Sequence, residues 1–223
     1  MPPRKILLFT KTSGYRHASI TDGVELVLSS ASGDDVVVDH TEDEAAFESS
    51  DLNQYDAIIW LQVSGDVLSE AGRLAFDNYL RAGGGFAGIH GAADAEWSWP
   101  AYESIVGARF LFHPLERVTE TATVIAEASD LSTDHIPQPW AWQEEWYAFK
   151  RNPRGEFTIL LRIDESTYHP ETEPMGDDHP VSWRGRYGQG HTWYTALGHA
   201  VESYSDPIFR EHIWGGIKSV MRP

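Results

Sequence analysis

The chain has 223 residues, enough to bury one substantial core, and its 17 basic against 34 acidic side chains leave a formal charge of -17. A field of that sign repels phosphate backbones and anionic head groups, so nucleic acid and acidic membranes are poor partners, whereas a neutral sugar or polyol is untouched by it. There is no cysteine, which removes disulfides, thiolate metal ligands and thiol nucleophiles together.

In chain order, residues 5–10 read as a short buried strand, followed by a glycine-bearing loop that ends at His17. A helix follows, with Ser19 as cap, Asp22 as its capping-box partner, and Ile20, Val24, Val27 and Leu28 on one stripe up to a stop at Gly33. Compact apolar runs at 36–38 and 57–61, rich in β-branched residues, carry the signature of interior parallel strands, with an acidic helix or loop between them. Ser69 caps a second helix whose Phe76, Tyr79 and Leu80 share a face; Gly83, Gly84 and Gly85 end it and lead into a strand at 86–89. This alternation predicts right-handed β-α-β units and an open, doubly wound, mostly parallel sheet. Its ligand site belongs at the carboxyl ends of the strands, where His17 and His90 fall.

The second half is less regular. Pro100 fits the first turn of a short helix, strands are expected at 118–126, 157–163 and 192–197, and residues 168–176 form a polar loop. The last helix starts at Asp206-Pro207 and carries Phe209, Ile213 and Ile217 on one stripe. One domain over residues 1–223 accommodates all of this. The apolar stretch at 6–9 is too brief for a secretory segment, and no run approaches the roughly 20 residues of a membrane span, so a cytoplasmic location is expected.

The segment from Gly83 to Asp94 is the most informative. It places His90 on a sharp turn after a strand, flanked by Gly88, Gly91 and Ala92, so that one side chain is presented above the sheet, where an imidazole can act as a general base. His17 and His199 follow other strands, and His113 and His179, each followed by proline, are expected in turns. With Glu145 or Asp94 as partner, such histidines suit proton transfer. The same donors suit a divalent metal, but no two of them show helical or HExxH spacing, so the sequence leaves metal and cofactor undecided. Trp97, Trp99, Trp140 and Trp142 lie in segments without clear periodicity and could form an aromatic wall for a sugar ring, while Trp60, Trp193 and Trp214 are assigned to the core. His40, His135, His169, His191 and His212 have no supporting context and are assigned to surface or structural roles.

Taken in order, Phe9-Thr-Lys-Thr-Ser-Gly-Tyr-Arg-His17, the His90 turn, Glu96-Trp97-Ser98-Trp99-Pro100, Gly107-Ala-Arg-Phe110, His113-Pro114, Glu144-Glu145-Trp146-Tyr147, Asp178-His179-Pro180, Trp183-Arg184 and 192–199 resemble the ThuA-like (trehalose utilisation) family. The resemblance runs from about residue 5 to the C-terminal helix. The family pattern has Asp where this chain has Glu144, which leaves Glu145 in register. What it implies is a flavodoxin-like sheet related to class I glutamine amidotransferases. Their Gly-x-Cys-x-Gly elbow resembles the His90 turn with histidine for cysteine and Ala92 for the last glycine, so glutamine hydrolysis through a thioester is not expected.

The expectation is an enzyme, a hydrolase or lyase, acting on a neutral sugar (trehalose or a related glycoside) or its keto derivative. His90, Glu145, His199 and Asp94 would be catalytic, with His17, Trp97, His113, His179, Arg184 and Tyr194 as substrate contacts. The other reading is a non-catalytic sugar-binding or partner protein on the same scaffold. A homo-oligomer is expected on general frequency alone, and the lack of Gly-x-Gly-x-x-Gly after the first strand argues against a nicotinamide cofactor.

Overall fold

The computed structural model describes residues 3–49 and 51–222. Its strands are β1 (Arg4–Phe9), β2 (Val36–Thr41), β3 (Ala57–Leu61), β4 (Gly85–Ile89), β5 (Phe110–Phe112), β6 (Glu120–Ala126), β7 (Trp140–Glu144), β8 (Ala148–Phe149), β9 (Thr158–Asp164), β10 (His179–Tyr187) and β11 (Gly190–Thr195). The helices are α1 (Ile20–Gly33), α2 (Ala46–Ser49), α3 (Glu70–Arg81), α4 (Tyr102–Val106) and α5 (Pro207–Val220). β3 and β4 are buried at every position, as strands covered on both faces must be.

Nine strands form one mixed sheet in the order β2-β1-β3-β4-β11-β10-β9-β6-β7, and β5 pairs with β8 in a small ribbon beside it. The first five are mutually parallel, with α1 and α3 in crossovers, and make the flavodoxin-like order that the β-α alternation predicts. From β11 onward each pairing is antiparallel. Four reversals leave β7 running in the direction of β11, so its carboxyl end lies at the same end of the sheet as those of β1, β4 and β11.

Of the two expected caps, Ser69 forms and Ser19 does not, and Asp206 at the start of the last helix adds a third. Ser69 Oγ accepts from Gly72 N, and Asp206 accepts from Ile208 N and Phe209 N with Pro207 in the first turn. Ser19 does not cap α1. Its backbone is already helical (φ -74°, ψ -3°) and its hydroxyl donates to the Gly198 carbonyl at 3.1 Å instead. The stripe of α1 is also rotated from expectation: Leu26 is buried and Leu28 is exposed, because Gly23 lets the helix close on Leu61.

Residues 140–144 and 179–187 are strands rather than irregular segments. Pro180 is accommodated in β10 beside a register shift against β9, where a missing N–H costs least. His179 is therefore a strand residue, not a turn residue. The four tryptophans do not form one wall: Trp140 is buried and Trp99 stacks on Tyr102, while Trp142, stacked on Phe209 of α5 with centroids 5.8 Å apart, still borders a cavity.

Candidate active site at the carboxyl edge of the sheet

The site begins with the turn after β4. His90 has φ +48°, a left-handed conformation that a side-chain-bearing residue holds only when its surroundings enforce it. The enforcement is visible. Gly91 N donates to Gln62 Oε1 at 3.2 Å, and the Tyr194 hydroxyl donates to the His90 carbonyl at 3.0 Å. A Cβ on Gly88 would stand 3.2 Å from Ala92, Phe86 and Tyr194 atoms, so the strand end accepts little else. His90 Nδ1 lies 2.5 Å from the Ala196 carbonyl, which can only accept, so Nδ1 carries a proton. Nε2 faces Glu145 Oε2 at 3.1 Å.

The loop after β11 is fixed from two sides. The Gly198 carbonyl accepts from Ser19 Oγ, Gln62 Nε2 and the Tyr204 hydroxyl, while the buried Glu144 carboxylate accepts from Gly198 N at 2.7 Å and His199 N at 3.0 Å. Burial raises the Glu144 pKa, against the opposing pull of His90 and these backbone donors. Glu144 thus locks the end of β7 to the loop bearing His199, and the next residue delivers Glu145 to the cluster.

The loop after β1 brings Tyr15 and His17, tied down by Ser64 Oγ donating to the Tyr15 carbonyl at 2.6 Å. His17 is 7% exposed; its ring stands edge-on to His90 at 4.8 Å and to His199 at 5.3 Å. Burial, then the neighbouring imidazoles of His90 and His199, push its pKa far below the usual histidine value, so the ring is neutral. Glu145 gathers the rest. Oε2 is 3.1 Å from both His90 Nε2 and His199 Nδ1, and Oε1 is 3.4 Å from His113 Nε2. Burial alone would raise the Glu145 pKa, but contacts with His199 and His90 outweigh it and hold the group ionised. Burial likewise lowers His199, and the Glu145 carboxylate more than offsets this, leaving it raised.

A cavity of about 320 Å³ opens over this floor, lined by Tyr15, His17, Asp94, His113, Glu145 and His199 among others. A second of about 710 Å³, bordered by Trp142 and Gln143, shares His199 with it. Asp94 accepts from Trp97 Nε1 at 2.9 Å; burial raises its pKa and that hydrogen bond opposes the rise. One ligand atom each from His17, His90, Glu145 and His199 lie within 4.8 Å of one another, a donor set that could hold a metal ion.

The structure thus brings together His17, His90, Asp94, His113, Glu145 and His199. Three expected substrate contacts lie elsewhere. His179 is wholly buried with Nδ1 2.9 Å from Glu165 and Nε2 donating to the Tyr147 carbonyl at 2.9 Å, so it props Tyr147 from behind. Arg184 pairs with Asp130 at 2.8 Å and lines a cavity at the amino end of β11, the opposite edge of the sheet. Tyr194 is buried and orients the His90 backbone. Trp97 is 40% exposed beside the cavity, holding Asp94 and covered by the Lys150 ammonium at 4.2 Å. Glu144 and Tyr15 carry no signal of their own in the sequence beyond standing one residue before Glu145 and two before His17.

A sequence profile of the ThuA family, described as trehalose utilisation, matches residues 5–219. The chain belongs to the ThuA family. Solved structures agree on the ThuA fold. A ThuA-like protein from Bacteroides uniformis superposes with a TM-score of 0.78 at 21% identity, covering 96% of this chain and 89% of that one. One from Parabacteroides merdae gives 0.72 at 18% identity, covering 99% and 92%. A cytoplasmic protein from Salmonella typhimurium gives 0.65 at 13% identity, covering 98% and 100%. No curated relative of this ThuA chain matches. Among the described residues no helix is long and apolar enough to cross a membrane.

Proposed function

We propose that the chain is a cytoplasmic enzyme of sugar utilisation that performs acid–base chemistry on a neutral glycoside or its keto derivative in the cavity over Glu145. The observation that carries this reading is the convergence of His17, His90, His113, His199 and Glu145, far apart in sequence, around one cavity at the carboxyl edge of the sheet. Family membership supplies the metabolic context, trehalose utilisation. The two cavities, both lined by His199, suit a substrate of two rings, one over the imidazole cluster and the other against Trp142.

Roles follow from access. His90 is fully buried, with Nδ1 against the Ala196 carbonyl and Nε2 against Glu145, so it shapes the floor rather than meeting substrate. His113 and Asp94 face the cavity from outside the tight cluster and are the groups placed to exchange protons with a bound sugar. Glu145 supplies a fixed negative charge beneath them.

The test is turnover of trehalose and its keto derivatives by the purified chain. We expect His113→Asn and Asp94→Asn each to lower kcat by about 10²–10⁴-fold while ligand affinity stays within roughly tenfold, since a proton-transfer group acts mainly in the transition state. Sugar binding by the parent chain with no turnover of any of these compounds would replace this reading with a non-catalytic sugar-binding protein.

A further inference from the structure

We propose that His17, His90, Glu145 and His199 together bind one divalent transition-metal ion at the floor of the cavity. The inference deepens the functional reading above and rests on its cavity.

Proton bookkeeping is the first ground. With Nδ1 of His90 committed to the Ala196 carbonyl, Nε2 and Glu145 Oε2 at 3.1 Å share a hydrogen bond only if a second proton sits between them, and without it two acceptors face each other. His199 Nδ1 stands 3.1 Å from that same oxygen yet makes no aligned hydrogen bond, and His17 Nδ1 is buried with no partner among the described residues. Unpaired polar atoms this deeply buried are costly. A proton between His90 and Glu145 would leave the other two nitrogens unserved, whereas one cation can accept lone pairs from all of them.

Geometry is the second. The four ligand atoms lie within 4.8 Å of one another. A tetrahedral ion with bonds of about 2.0–2.1 Å separates its ligands by about 3.4 Å, so closing the set needs shifts of about 1 Å or less. The supports that metal-bound side chains require are in place: His90 is oriented by a backbone carbonyl, and the His199 backbone is held by Glu144. Three imidazoles and one carboxylate favour Zn²⁺, Co²⁺ or Mn²⁺ over Ca²⁺ or Mg²⁺, which prefer all-oxygen shells.

The open side of the cluster faces the cavity, with His113 and Asp94 above it. Four side chains fill a tetrahedral shell, so an oxygen of the sugar, a hydroxyl or a carbonyl, would enter from that side as a fifth ligand by expansion of the shell. The four ligands would then be withdrawn from proton exchange, which agrees with its assignment to His113 and Asp94.

The test uses the full chain, stripped with chelator and titrated with Zn²⁺ or Co²⁺. We expect one ion per chain and, for Co²⁺, visible absorption of low coordination number. His17→Ala and His199→Ala should each weaken binding by about 100-fold or more, while His191→Ala on the opposite edge leaves it unchanged. Circular dichroism checks the fold of each variant, and the spectrum of the Co²⁺-loaded parent reports imidazole ligation without any substitution. Failure of the parent chain to bind any of Zn²⁺, Co²⁺ or Mn²⁺ stoichiometrically would overturn the proposal, as would unchanged affinity in a folded His17→Ala/His199→Ala variant. Unchanged turnover by metal-free protein would also overturn it and leave the acid–base reading intact; a bound ion without turnover of any neutral sugar would do the reverse.

Discussion

At the scale of single residues, buried polar atoms without a hydrogen-bond partner among the described residues include Trp60 Nε1, Trp142 Nε1 and Thr192 Oγ1 as well as Nδ1 of His17 and of His199 in the cluster, and the satisfied groups are informative by contrast. Glu96 has φ +55° and no exposure, yet its carboxylate accepts from Val67 N, Leu68 N and Arg73 Nε, which makes it a structural anchor. His212 is a second satisfied case: Nδ1 donates to the Ser132 carbonyl at 2.8 Å and Nε2 lies 3.0 Å from Thr195 Oγ1. Burial depresses its pKa from 6.5 to about 4, the Ser132 bond opposing the drop and His135 adding to it. Below pH 6.5 the unfolded chain therefore takes up a proton that the folded chain refuses until about pH 4. The group's contribution to stability is complete above 6.5 and lost on acidification through that window, by up to about 3 kcal/mol. Urea denaturation at pH 7 and pH 5 should show His212→Gln losing about 2 kcal/mol less than the parent between the two. An identical loss in both proteins would mean that His212 is protonated in the fold.

At the scale of elements, α5 shows how a helix can give up propensity for proximity. Gly215 and Gly216 sit in its interior, where each costs about 1 kcal/mol relative to alanine. A Cβ on Gly216 would stand 2.2 Å from Trp193 Cε2, and that indole is buried with Nε1 bonded to Ser132 Oγ. Gly216→Ala should accordingly destabilise by about 1–3 kcal/mol despite the gain in propensity, read as a lower urea midpoint; a rise would show that Trp193 yields. The elements legible in the sequence were those with one dominant signal. β3 and β4 are apolar throughout and β1 from Ile6 on, and α3 and α5 have side-chain caps. β7 and β10 were not legible because their tryptophans pack on α5 and α4 rather than alternating cleanly, and because Pro180 imitates a turn. Ser19 misled for a related reason: a hydroxyl that could cap a helix was recruited by a carbonyl 179 positions away. The same logic divides the site. Motif order marked His17, His90, His113, His199 and Glu145, but whether a motif residue faces the cavity or its scaffold depends on strand register, which set His179, Arg184 and Tyr194 apart.

At the scale of the whole molecule, the antiparallel half of the sheet carries the edge strand β7 back toward the parallel half. β7 is separated from β11 by β10, β9 and β6 in the sheet, yet Glu144 at its end bonds the backbone after β11. That closure joins a carboxylate from one half to imidazoles from the other. It does so inside a molecule of formal charge -17, whose field bears on charged ligands and not on neutral ones. For a neutral glycoside, kcat/KM should change less than about twofold between 0.05 and 0.5 M NaCl, because the encounter has no net electrostatic component to screen. A sugar phosphate offered as competitor should bind more weakly than the neutral sugar, and its disadvantage should shrink as salt shortens the screening length from more than about 10 Å toward about 4 Å. Inhibition constants measured across that salt series decide the matter. A phosphorylated sugar that binds best at low salt would reveal a local positive potential strong enough to reverse the global field, and the preference for neutral substrates would then have no electrostatic basis.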